Sequence, residues 1–349
     1  MSGDCEFQVS AIIPARNEEA NIARCVRSVA NQRCVREIIV ADDNSQDRTN
    51  AILEDLKPEI PQLQTFHLEF LPAGWVGKTH ALATAAKQAR GDWLLFTDAD
   101  TEHLPGSLAA LLERGKSQQV DLLSVSPKQR TPTWWEKAVI PQGYVRLARL
   151  YRFAEVSDPR LATAAANGQY ILIRRLTYER VGGHEAVRSA VLEDVELACL
   201  GKASGRRLLF LSGSDWVRTR MYRGFFEMCT GWTKNLYLLY GGKMALMLAH
   251  LAEAWLLDLL VPFAYLCLCF LAALGQASPA ALVAAGGCLL IVIGRQRSYK
   301  QLLGSLGFEP ALANYVMPGA ALFGLLLLSS IRAHRWTGSV DWKGRKYPL

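Results

Sequence analysis

No CxxC pair and no Cys/His cluster at metal-ligand spacing occurs among the eight cysteines. A zinc site and a disulfide framework are therefore both unexpected, and reduced thiols are expected. Three of the cysteines (Cys267, Cys269 and Cys288) lie in apolar runs. The N-terminal stretch MSGDCEFQVS lacks the apolar core of a signal peptide, so the polar part of the chain is expected to stay in the cytoplasm. Before Gly242 there is no long apolar run, whereas such runs dominate from Met244 to Ile331. The net charge is +7, but residues 243–349 hold nine Lys/Arg against four Asp/Glu. The basic excess thus follows the apolar tail and suits anionic lipid headgroups. A nucleic-acid partner, which would want a basic face on the folded domain, is not expected.

What is present before the tail is an alternation of strand-like and helix-like runs. FQVSAIIPARN and REIIVADDNS read as buried strands, and EEANIARCVRSVANQ between them reads as a helix, with Ile22, Val26 and Val29 at helical spacing and Asn17 as N-cap. TNAILEDL, LQTFHLEFL, GKTHALATAAKQARG and DWLLFTDAD continue the pattern as helix, strand, helix and strand, with Gly91 at a C-cap position. This βαβα order predicts a mostly parallel α/β sheet flanked by helices. Ligands bind such sheets beyond the carboxyl ends of the strands. The polar clusters Pro14 to Glu18, Asp42 to Ser45 and Asp98 to Asp100 all fall there.

Residues 1–242 are expected to form the soluble domain and residues 243–349 a membrane-associated region with two to three apolar helices. AWLLDLLVPFAYLCLCFLAALG is long enough to cross a bilayer, which takes about 20 residues. ALVAAGGCLLIVIG is short for a span, and YVMPGAALFGLLLLSSI is marginal. Asp258 and Pro262 are unusual inside the first. Basic residues follow the second segment (RQRSYK) and the third (RAHRW, WKGRK). The positive-inside rule places both on the cytoplasmic side, which three full crossings cannot satisfy. One segment is expected to be re-entrant or interfacial.

Several constellations could carry chemistry. Asp98 and Asp100, one residue apart at the end of a strand, suit a hard divalent cation, Mg²⁺ or Mn²⁺, completed by substrate phosphates. A solvated turn is the plain alternative. Asp42 and Asp43 enter an Asx/Ser turn and could accept from a nucleotide, although turn chemistry alone nearly accounts for them. Glu193 and Asp194 open a helix, where acids are favoured by the dipole. Asp194 could equally be a general base deprotonating a hydroxyl. Lys78, at a helix start after two glycines, suits an anion or is simply solvated.

Taken in order, IIPARNEE, VADDNS, GKTHALA, FTDADT, NGQYILIRR and LEDVELA closely resemble the family 2 glycosyltransferases. That resemblance implies a GT-A fold, a nucleotide-diphosphate sugar donor and a divalent metal. It assigns Pro14, Arg16, Glu18 and Asp43 to the nucleotide, and Lys78 to the diphosphate. Asp98 would contact ribose or metal, Asp100 would hold the metal, and Asp194 would be the base of an inverting displacement. Gly168, Gln169 and Glu193 would lie in the sugar and acceptor region. RMYRGFFEMCTGWTKNLY, the apolar segments and the terminal WTGSVDWKGRKYPL look like the hopene-associated glycosyltransferases and like enzymes that glycosylate carotenoid acids. Processive synthases carry QxxRW, of which MCTGW keeps only Trp232; this residue either lies in the acceptor region or packs.

The reading that follows is transfer of one sugar, UDP-linked by resemblance alone, to a lipid acceptor at the cytoplasmic membrane face. A polyprenyl-phosphate acceptor or a polysaccharide product is the nearest alternative. A non-catalytic sugar-nucleotide sensor would be expected to have lost Asp98, Asp100 or Asp194. A nucleotidyltransferase would show a GxGxR loop, which IIPARNEE lacks.

Overall fold

The computed structural model describes residues 6–342 and 344–348. It divides into two compact units, one made of residues 1–130 and 151–221, the other of 131–150 and 222–349. The division falls at 221 rather than 242 because the helix Phe225–Leu239 buries Met228, Trp232 and Leu236 in the second unit.

The first unit is built on strands β1 (Val9–Ala15), β2 (Val35–Asp42), β3 (Leu63–His67), β4 (Trp93–Phe96), β5 (Thr101–His103), β6 (Leu122–Gln129), β7 (Ile171–Arg174) and β8 (Leu208–Thr219). They form one sheet in the order β3-β2-β1-β4-β7-β6-β8-β5. The first four strands to pair are parallel, with Ile12 opposite both Ile39 and Phe96. β7 then runs antiparallel between β4 and β6, and β5 antiparallel on β8, so the sheet is mixed.

Successive side chains of a strand point to opposite faces. Val9, Ala11 and Ile13 accordingly pack with Ile22, Cys25, Val26 and Val29 of the helix Ile22–Ala30. Ile12, Leu94 and Phe96 pack on the other face with Ala81, Leu82 and Ala85 of the helix Gly77–Ala86. Both faces are covered, which is why these strands read as unbroken apolar runs.

Four local readings are corrected. Asn17 does not cap the first helix, which starts after Asn21; it takes a left-handed backbone (φ 53°) and its side chain accepts from the Gln46 N–H. Gly91 is not a helix cap either. A Cβ there would lie 2.6 Å from the Ser10 nitrogen and 2.7 Å from the Gln8 oxygen, so the glycine allows two backbone segments to approach. Strand β4 ends at Phe96, which places Asp98 and Asp100 in the turn beyond it rather than on one face of a strand. Cys34 is disulfide-bonded, while Cys25, Cys199, Cys229, Cys267, Cys269 and Cys288 are free.

The second unit is helical. Three of its helices are long and apolar enough to cross a membrane: Met244–Ala273, Pro279–Ser305 and Pro310–Thr337. The middle one runs 27 residues because the helix continues through the basic stretch that seemed to end it. In the first, a π-helical turn, Leu256–Leu260, carries Asp258 and precedes Pro262, so the proline stands where the helix restarts.

Candidate active site

The carboxyl ends of β1 and β2 are tied together by polar side chains. Arg16 Nη1 donates to the Asp43 carbonyl at 2.5 Å and lies 4.0 Å from its carboxylate. The Asn17 N–H donates to Ser45 Oγ at 2.9 Å, and the Glu18 N–H to Thr49 Oγ1 at 2.8 Å. Asp42 is used up structurally, accepting from both the N–H and the hydroxyl of Ser45 and contacting His67 Nδ1 at 3.0 Å. Asn44, left-handed at φ 56°, turns the chain between them. Pro14, near the end of β1, lies opposite Ala41 in the β1–β2 register.

Beyond β4 lies a second group. Lys78, in the first turn of the helix Gly77–Ala86, reaches Asp98 Oδ1 and Glu193 Oε1, each at 2.8 Å. Asp194, beside Glu193 at the start of the helix Glu193–Ala203, accepts from the Gly168 N–H at 2.7 Å and its own neighbour Val195 N–H at 2.9 Å. Residues 78, 98, 168, 193 and 194, scattered along the chain, thus meet at one place.

One ammonium faces three carboxylates here, and the charges show it. Burial would push the Lys78 ammonium down, but Asp98, Glu193 and Asp194 together hold it well above the usual lysine range. Burial raises the Asp98 carboxyl, against the pull of Lys78 and with help from Glu193 and Glu18. Glu193 stays low because Lys78 outweighs its burial. Asp194 is pushed up to about 6, chiefly by burial and by Glu193 beside it.

The turn holding Asp98 and Asp100 rests on a buried relay that the sequence did not reveal. Thr97 Oγ1 donates to the Gln169 carbonyl at 2.8 Å and lies 3.0 Å from His103 Nε2, while Thr101 Oγ1 donates to the Asp98 carbonyl at 2.8 Å. Burial lowers the His103 imidazole to about 3, so it stays neutral. Gln169 is held by Gln129 and Thr219, and Thr219 Oγ1 also donates to the Asp100 carbonyl at 3.3 Å. These partners come from β5, β6, β8 and the loops beside β4 and β7, and no local pattern marks them. Trp232 belongs to the second unit. It is buried in the helical unit, edge-on to Tyr144 and Phe323, with Gly143 opened to fit it.

The glycosyl transferase family 2 profile matches residues 10–182, from β1 to just beyond β7. This chain carries a family 2 glycosyltransferase domain. Among relatives of this glycosyltransferase, a 4,4'-diaponeurosporenoate glycosyltransferase of Staphylococcus aureus is 25% identical over 98% of this chain and 88% of its own length. One of the same description from Staphylococcus haemolyticus is 29% identical over 67% of this chain and 62% of its own length. A mannosyltransferase from Pyrobaculum calidifontis, solved with GDP-mannose and Mn²⁺, shares the fold at a TM-score of 0.52 and 18% identity, over 95% of this chain and 88% of that one. The first unit therefore has a GT-A fold.

Among the described residues no three His, Cys, Asp or Glu side chains converge as a self-sufficient metal cage. The oxygen-only donors Asp98 and Asp100 still fit Mg²⁺ or Mn²⁺, which commonly take one or two carboxylates and complete their shell with substrate phosphates. Three carboxylates around the single Lys78 ammonium favour the same kind of ligand.

Gly168 bears directly on the geometry of this charge cluster. A Cβ there would stand 3.0 Å from Lys78 Nζ, 3.2 Å from Asp194 Oδ2 and 3.4 Å from Glu193 Oε1, on a backbone that is not left-handed. Gly168→Ala is expected to fold normally while shifting these charged ends by tenths of an ångström. Turnover should fall about 10- to 100-fold, given the sensitivity of positioned groups to displacement. The check is kcat beside the thermal midpoint; wild-type turnover would show that the charge cluster tolerates movement.

Proposed function

We propose that this enzyme transfers a single sugar, with inversion, from a nucleotide-diphosphate sugar to a hydrophobic lipid acceptor at the cytoplasmic face of a membrane. The observation that carries the reading is Asp194: a half-buried carboxylate positioned by two backbone N–H groups, beside Lys78 and the Asp98 turn, on a chain with three apolar helices. In this reading the first unit is the catalytic domain and the helical unit brings it to its acceptor. A carotenoid- or hopanoid-like acceptor is supported by the names of the staphylococcal relatives and by the likeness of the tail. The donor is taken as UDP-linked by family likeness.

Pro14, Arg16, Glu18 and Asp43 would line the nucleotide, with Arg16 and Asp43 already bonded into one rigid edge. Lys78 would turn from Asp98 and Glu193 toward the diphosphate. Asp98 and Asp100 would hold the cation, which when bound supplies charge stabilisation to the leaving diphosphate. Asp194 Oδ would take the proton of the acceptor hydroxyl as its oxygen attacks the anomeric carbon, Gly168 and Val195 keeping the carboxylate oriented. Gln169 and Glu193 would border the sugar and acceptor.

The test uses membranes containing the full chain, incubated with radiolabelled UDP-sugars with and without EDTA. Label is expected in the organic extract, lost on chelation and lost in Asp100→Ala. Label in high-molecular-weight material would mark a polysaccharide synthase, and bound donor without any transfer would mark a non-catalytic protein.

A further inference from the structure

The three apolar helices are not alike. The segment from Val261 to Ala273 has no buried residue, and in Pro279–Ser305 the buried residues are Tyr299 and Leu303, both beyond Arg295. Leu260, Phe263, Phe270, Val283 and Leu290 are all more than half exposed. The third helix differs, since half of its most apolar window is buried against 6% and none in the other two.

Between Asp258 and Arg295 the chain carries no charged residue. The two stretches Leu259–Leu274 and Pro279–Gly294 are the same length, about 24 Å at 1.5 Å per residue. Their charged ends meet: Arg295 Nε and Nη2 donate to Asp258 at 2.9 Å, and Nη1 donates to Glu253 at 2.7 Å. An antiparallel pair of uncharged arms, closed at its base by ion pairs and bare along its length, fits within hydrocarbon some 30 Å thick.

The third helix packs against protein along half of its apolar window. A Cβ at Gly319 would collide with the Ala138 carbonyl, and one at Gly324 with the Trp255 indole. Ser330 Oγ donates to the Thr233 carbonyl at 2.7 Å and accepts from the Tyr237 N–H at 2.9 Å. If this helix crossed the bilayer, the helices Trp134–Leu150 and Phe225–Leu239 packed along it would be carried to the same depth with Lys137, Glu227 and Lys234. Such side chains are costly there.

We propose that the arms on either side of residues 275–278 enter the bilayer as a hairpin and return to the side they left, while the third apolar helix stays within the protein and does not cross. The proposal rests on the membrane association above, not on the chemistry of transfer. It resolves the charge pattern, because Arg295, Arg297 and Lys300 and then Arg332 and Arg335 all lie on one side.

The test adds Lys300→Cys or Trp336→Cys to the full chain and applies a membrane-impermeant maleimide to sealed vesicles of each orientation, scoring mass shift over the wild-type background. Both sites are exposed, and native Cys199 on the first unit marks the catalytic side. Labelling at 300 and 336 only where Cys199 is reached is the expected result. Labelling of 336 from the opposite side would make the third helix a span. Labelling of 300 opposite Cys199 would break the hairpin, and protection of either site from both sides would overturn the proposal by placing it in lipid. Labelling needs no turnover, so a failed transferase assay leaves this result readable.

Discussion

Asp194→Asn is expected to lower kcat about 100- to 10,000-fold, the range supplied by a positioned general base. The amide keeps the shape and can still accept the Gly168 N–H, so stability should change little. The pH profile carries a second signature. A base must be ionised to act, and Asp194 is held at about 6 by burial and by Glu193. On the acid side kcat/KM should therefore rise with pH, approaching tenfold per unit, and level off above about 6, where the carboxylate is already charged. In Asp194→Asn that limb should vanish. Wild-type transfer by the variant would show that the acceptor arrives as an anion, such as a phosphate or carboxylate, and needs no base.

The largest stability effect is expected in the helical unit, from Asp258→Ala. Asp258 accepts from Arg146 at 3.1 Å and from Arg295, while Glu253 accepts from Arg149 and Arg295 at 2.7 Å. Arg146 is only 2% exposed and stacks over Phe323. Without Asp258, three guanidinium groups share one carboxylate, and one of them has no route to water. Removing one partner of a buried pair costs about 3–5 kcal/mol, because the remaining charge is stranded. A drop on the order of 10 °C in the thermal midpoint in detergent follows. Asp258→Ala combined with Arg146→Met should melt above Asp258→Ala alone, since it removes the stranded charge. Equal midpoints for Asp258→Ala and the wild type would mean that water reaches the network.

Much of the catalytic unit could be read before any coordinates. Apolar strand runs ending in PARNE, ADDNS and TDADT announce a sheet with polar clusters at its carboxyl ends, and the structure puts Arg16 against Asp43 at those ends. Asp194 was legible as an acid opening a helix. The pairing of Lys78 was not: nothing in the sequence says that an ammonium 20 residues upstream reaches the Asp98 carboxylate. Gly91 was misread because a glycine five residues past a helix looks the same whether it caps that helix or admits a neighbouring backbone.

By itself the sequence determined where the apolar and polar material lies along the chain: strand periodicity, the acids at strand ends, the uncharged run between Asp258 and Arg295. These are properties of neighbours in sequence, and local sterics and hydropathy settle them. Only the tertiary structure decided which of three similar apolar helices is bare and which packs against protein, that residues 131–150 belong with the helical unit, and that Lys78, Gly168 and Glu193 meet around Asp98 and Asp194. Those outcomes depend on contacts between distant segments, such as Gly319 on Ala138 or Lys78 on Glu193, whose energies no window of sequence contains.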